Sequence, residues 1–199
     1  TPDEQITYDV FVYGRRQDIA DAARPSHLLP LSQFFNITTF IAQLGSGQSL
    51  QPFVTTEDYR NWLSRLDDYL VINTQMIANM REGMEQGLVQ PRVLMEKTLP
   101  QLDALAVDNV ADSVFFPPVR NFPDSVPEAD RPALEAAYRE MIGERLVPAI
   151  RELRNFVAEE YLPATRETVA WTALPNGAGW YEHLVRKQTT TDLSASDIH

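Results

Sequence analysis

Three histidines, His27, His183 and His199, are the side chains of this chain best suited to metal or acid–base chemistry. A zinc site on one helix needs two of them in an H-E-x-x-H pattern or at helical spacing, and none is so placed. His27 sits in a proline-flanked loop and reads as a surface or turn residue. His183 lies between Trp180-Tyr181 and Leu184-Val185, where a buried, hydrogen-bonded structural role outweighs ligation. His199 closes the sequence.

Carboxylate pairs are the next candidates: Asp67-Asp68, Glu159-Glu160, and Asp192 with Asp197. General acid–base catalysis needs such a pair facing one cleft. Neighbouring residues on a helix point about 100° apart, so the first two pairs read as solvated faces. No serine stands in a G-x-S-x-G elbow. Gly45-Ser46-Gly47 lacks a following Lys-Ser or Lys-Thr and reads as a turn, not a phosphate loop. The chain has no cysteine, which removes thiol nucleophiles, disulfides and Cys-ligated zinc. These residues make no self-sufficient active site, and no cofactor is expected within the chain.

The elements that must carry these residues read as helices. At 199 residues the chain can bury one sizeable core, so one domain is expected. The net charge of −11 argues against nucleic acid or an anionic membrane as partner and fits a solvated acidic surface. No apolar stretch approaches the roughly 20 residues needed to span a bilayer, and no signal peptide is visible.

Thr1-Pro2-Asp3-Glu4 is a helix start with a capping box, and Ile6, Val10, Tyr13 and Ile19 fit a helical stripe behind it. The β-branched and aromatic content of Ile6 to Tyr13 leaves a strand as the competing reading. Residues near 24–54 form a proline- and glycine-punctuated loop carrying one short helix. Thr55 with Asp58 caps the clearest helix, whose apolar face runs through Tyr59, Trp62, Leu66, Leu70, Met76, Ile77 and Met80. Pro91 can open the next helix, and Pro100 predicts a kink or break in it.

Residues near 107–130 form a second irregular stretch, packed by Phe115, Phe116 and Phe122. Asp130-Arg131-Pro132 predicts the cap of a long helix that Pro148 should bend and Pro163 should end or divert. Leu174-Pro175-Asn176-Gly177 reads as a turn with Gly177 supplying a positive φ, followed by a short helix with Trp180 and Tyr181. Ser194 with Asp197 is one more capping box, with only Ile198 and His199 behind it. That unfinished start predicts a piece of a larger protein. The fold class is all-α: an irregular bundle of long kinked helices with Pro-rich loops, packed antiparallel in the simplest arrangement.

The pattern Leu174-Pro175-Asn176-Gly177, Trp180-Tyr181, Leu184-Val185-Arg186 and Thr189-Thr190-Thr191-Asp192-Leu193 to Ile198-His199 resembles the bacterial family known as domain of unknown function 885. Leu29 to Gln33, Thr55 to Tyr59, and Arg81 to Met84 with Pro91 extend the likeness from about Leu28 onward. The resemblance implies part of a larger, helical, zinc-dependent metallopeptidase-like fold with a neurolysin-like architecture. In that family a His-Glu pair followed by Pro-Gly-His, and a further glutamate, lie downstream of the region seen here. The metal ligands therefore carry over to no position of this chain, and zinc is expected in the parent only. Tyr181, His183 and His199 are the cleft-facing candidates the resemblance implies. It also implies the missing C-terminal part and a peptide substrate as partners, and an exported or lipid-anchored parent in the periplasm or envelope. The competing expectation is a self-standing helical binding or scaffold module. Apolar surface left uncovered would favour self-association.

Overall fold

In the computed structural model, which describes residues 1–198, each of the three capping boxes read from the sequence starts a helix. Thr1 and Glu4 cap α1 (Pro2–Ala22), which settles the reading of Ile6 to Tyr13 as helix. Thr39 donates its amide to Asn36 at the start of α2 (Ile37–Gly45). Thr55 and Asp58 cap α3 (Thr56–Glu85), the longest element. Then come α4 (Arg92–Asp103), the short α5 (Pro117–Arg120) and α6 (Arg131–Glu140). Next are α7 (Val147–Phe156), the one-turn α8 (Leu162–Ala164), α9 (Gly177–Thr189) and α10 (Ala195–Ile198). The Ser194–Asp197 box opens α10. Among the described residues no strand forms, and one isolated bridge pairs Pro91 with Arg166.

The stretch from α6 to α8 is one continuous helix interrupted by two π-helical turns, Met141–Leu146 and Val157–Tyr161. The prolines account for both. A proline ring brings no amide and crowds the carbonyl one turn back. The turn before it widens, and Val147 N–H bonds to Ile142 while Leu162 N–H bonds to Val157, each five residues back. Pro148 thus widens the helix, and Pro163 is followed by its end at Ala164. Pro100 stays inside α4, which runs on to Asp103.

Two clusters of the core share α3 as their spine. Trp62, Leu66 and Tyr69 from its first half pack with Phe115, Tyr138, Ile142 and Ile150. Met76, Ile77 and Met80 from its second half pack with Leu31, Met95, Leu102, Leu153 and Val157. Burying side chains of this size stabilises by about 1.5–3 kcal/mol each. A third cluster joins Leu28, Leu88, Leu174 and Trp180. Gly83 sits where the chain crosses itself, since a Cβ there would stand 2.7 Å from the carbonyl oxygen of Leu88 and 2.9 Å from that of Leu28.

The direction of packing departs from the antiparallel expectation. Tyr59 packs on Tyr138, Asn73 donates to the Ala149 carbonyl at 3.0 Å, and Arg81 meets Glu160, so both helices advance the same way. α4 is the antiparallel member: Asp103 pairs with Arg154, while the Arg92 amide bonds to Arg166. The chain between Gln86 and Asp130 is long enough to travel back along the bundle before α6 starts.

The stripe Ile6, Val10, Tyr13 and Ile19 lies on a helix as expected, and no residue of α1 is buried. Two local expectations also need correction. Asp130 does not cap its own helix and accepts instead from the Thr56 hydroxyl. The positive φ of the 174–177 turn falls on Asn176, at 52°, while Gly177 is the first residue of α9. Glycine is required there for closeness: a Cβ would lie 1.9 Å from the Trp171 carbonyl oxygen.

Candidate functional site

His183 is buried, and its Nε2 lies 2.6 Å from Oδ1 of Asp21. The other oxygen of Asp21 accepts from Lys187, one turn further along α9. Hydrogen bonds from Lys187 first, then His183, hold the Asp21 carboxyl below its ordinary range, and Asp21 raises Lys187 in return. This three-residue link fastens the end of α1 to α9. It fits the structural role expected of His183.

Tyr181 is two residues away on the same helix, about 200° around it at 100° per residue. It is half-buried and does not share the face of His183. His199 lies outside the described residues. Asp21 was invisible as a partner of His183 in the sequence, being 162 residues away.

Two concave surfaces flank α3. The first is an apolar groove of about 310 Å³ lined by Phe35, Ile37, Ile72 and Met76, with His27, Gln75 and Asn79 at its polar edge. Gln75 donates to Asn79 at 2.7 Å, which fixes the amides along that edge. Beside the groove Phe34 is 86% exposed and Phe35 71%, with Phe40 and Ile72 also open to solvent. Exposed aromatics this dense on one edge mark a contact surface. The sequence signal was present in the adjacent pair Phe34-Phe35, which a helical stripe cannot bury together.

The second is a charged cleft of about 500 Å³ between α3 and the stretch joining the two π turns. Arg81 reaches across it to Glu160 with paired bonds of 3.0 and 2.7 Å and lies over the Phe156 ring, 5.0 Å from its centroid. The pair lowers the Glu160 carboxyl and raises the Arg81 guanidinium, each through that hydrogen bonding first. Glu152 and Glu159 share the wall with Asn155. Glu159 and Glu160 stay exposed, in keeping with solvated faces. Arg81 was noticed only within a helix-end pattern, and its reach to Glu160 follows from the parallel packing that the sequence did not disclose.

Among the described residues no three His, Cys, Asp or Glu side chains are grouped as a metal ion requires. No described helix is long and apolar enough to cross a membrane. Compared with known protein families, residues 1–199 match the family described as Bacterial protein of unknown function (DUF885). No curated protein and no solved structure matches the chain.

Proposed function

The chain belongs to that bacterial family, and from this premise we propose that it is the non-catalytic helical portion of a zinc-dependent, metallopeptidase-like hydrolase. In this reading the Phe35–Ile72 groove forms part of one wall of a peptide cleft. The observation that supports it is the groove itself: an apolar floor, amides of Gln75 and Asn79 on its edge, and exposed Phe34 and Phe35 beside it. Apolar surface accepts side chains, and fixed amides accept and donate to a peptide backbone.

In this reading zinc would be held by residues of the parent protein outside this chain. On α9 the half-buried Tyr181 is proposed to face that cleft, while the buried His183 is taken up by its bond to Asp21. The work left to this chain is positioning: α3 sets the groove, and the Asp21–His183–Lys187 link sets α9.

The test is to read the gene that encodes this chain and to compare the full-length protein, where that is longer, with the chain alone. Stoichiometric zinc and peptide turnover in the longer protein are expected, with Phe35→Glu raising KM and leaving zinc content unchanged. A longer protein with neither zinc nor turnover sinks the hydrolase reading. Tight binding of a partner protein in that case would favour the scaffold module.

A further inference from the structure

The apolar surface of α1 has a pattern of its own. Glu4, Tyr8, Phe11 and Arg15 follow one another at intervals of four, three and four residues, so they line one face of the helix. Tyr8 and Phe11 are each 62% exposed, and a shallow depression lined by Asp3, Glu4, Thr7, Tyr8 and Phe11 runs beside them. Arg15 lies over the Phe11 ring at 5.6 Å and pairs with Asp18 at 2.8 Å, which holds its side chain along this face.

The order acid, aromatic, aromatic, base is complementary to its own reverse. Laid antiparallel against a second α1, Tyr8 falls opposite Phe11, and Glu4 falls opposite Arg15, at both ends of the seam. That is the layer pairing of an antiparallel coiled coil. A two-fold axis requires the same reciprocity of a self-complementary surface. A parallel arrangement would instead set Glu4 against Glu4 and Arg15 against Arg15.

We propose that this chain forms a two-fold dimer through antiparallel pairing of α1, with Tyr8 and Phe11 at its centre and Glu4–Arg15 pairs at its ends. The occupant of the face is a second copy, and the charge order is what selects it. The seam involves four residues per copy, smaller than a standard interface, so the dimer is weak and concentration-dependent. This inference is independent of the groove and of any zinc chemistry.

Sedimentation velocity over a concentration series reads it directly. The unaltered chain is expected to shift from monomer to dimer as concentration rises. Arg15→Glu and Glu4→Lys should each stay monomeric, and an equimolar mixture of the two should recover a heterodimer, because each reversed charge then meets its complement. Glu4→Lys also removes half of a capping box, so circular dichroism checks that α1 persists. A second readout does not depend on that cap. Because the chain has no cysteine, Tyr8→Cys and Phe11→Cys chains can be mixed and oxidised, and the 8–11 disulfide should form ahead of 8–8 or 11–11. A chain that stays monomeric to millimolar concentration, a dimer unchanged by Arg15→Glu, or cross-links without preference would each overturn the proposal.

Discussion

The hydroxyl of Thr56 donates a 2.7 Å hydrogen bond to Oδ2 of Asp130, and each residue stands at the start of its helix, α3 and α6. The two longest helical stretches therefore begin side by side and run in parallel. Both positive helix ends then gather at one place, where Glu57, Asp58 and Asp130 supply negative charge.

Replacing Asp130 with alanine should destabilise the fold by about 1–2 kcal/mol, from a lost hydrogen bond to a charged group in a partly exposed setting. Urea unfolding would measure it. An unchanged midpoint would mean that the tie between the two helix starts carries no weight.

Gly177→Ala should be severely destabilising. The added methyl would stand 1.9 Å from the Trp171 carbonyl oxygen, a backbone atom that cannot turn aside. Overpacking of this kind costs about 1–3 kcal/mol and occasionally more. The tilted Trp171–Trp180 pair, with ring centroids 4.8 Å apart, offers a fluorescence signal for the displacement.

Thr190→Gly should stabilise. Thr190 closes α9 with φ at 56°, a conformation that crowds a β-branched side chain and suits glycine. Relief of about 1 kcal/mol is expected, since left-handed backbone costs an L-residue about 1–2 kcal/mol and glycine gives part of this back as chain entropy. A lower melting temperature in this variant would contradict the assignment of strain.

The Asp21 link sets an acid dependence with a definite sign. Its carboxyl titrates lower in the folded chain than the ordinary 3.8. The stabilisation is therefore complete above that ordinary value and is lost as pH falls through the lowered folded one. Amide exchange at the end of α1 and along α9 should quicken over that acid range. In Asp21→Asn the exchange should already be fast at neutral pH, and the acid step should vanish.

Local features of the fold were legible because their causes are local. The capping boxes at Thr1, Thr55 and Ser194 need residues only three apart, and the Phe115-Phe116 anchor of the irregular stretch is a neighbouring pair. The partnerships that fix the architecture were not legible. Thr56–Asp130 and His183–Asp21 span 74 and 162 residues, and no periodicity encodes them. The burial of Tyr69 and Asn73 escaped for a related reason: their polar atoms find partners on other elements, Thr38 and Ala149. The groove edge was half visible, since Phe34-Phe35 could be seen, while Ile72 and Asn79 come to it only through the docking of α2 on α3.

The two π turns have a consequence for how this helix can change length. Each holds one residue more than an α turn, upstream of Pro148 or Pro163. Removing a single residue from Met141–Leu146, with Pro148 replaced by alanine to return the missing amide, would close the turn while keeping Ile150, Leu153 and Val157 in phase with the core. A one-residue deletion that would scramble an ordinary amphipathic helix is therefore expected to be absorbed at either of these two places.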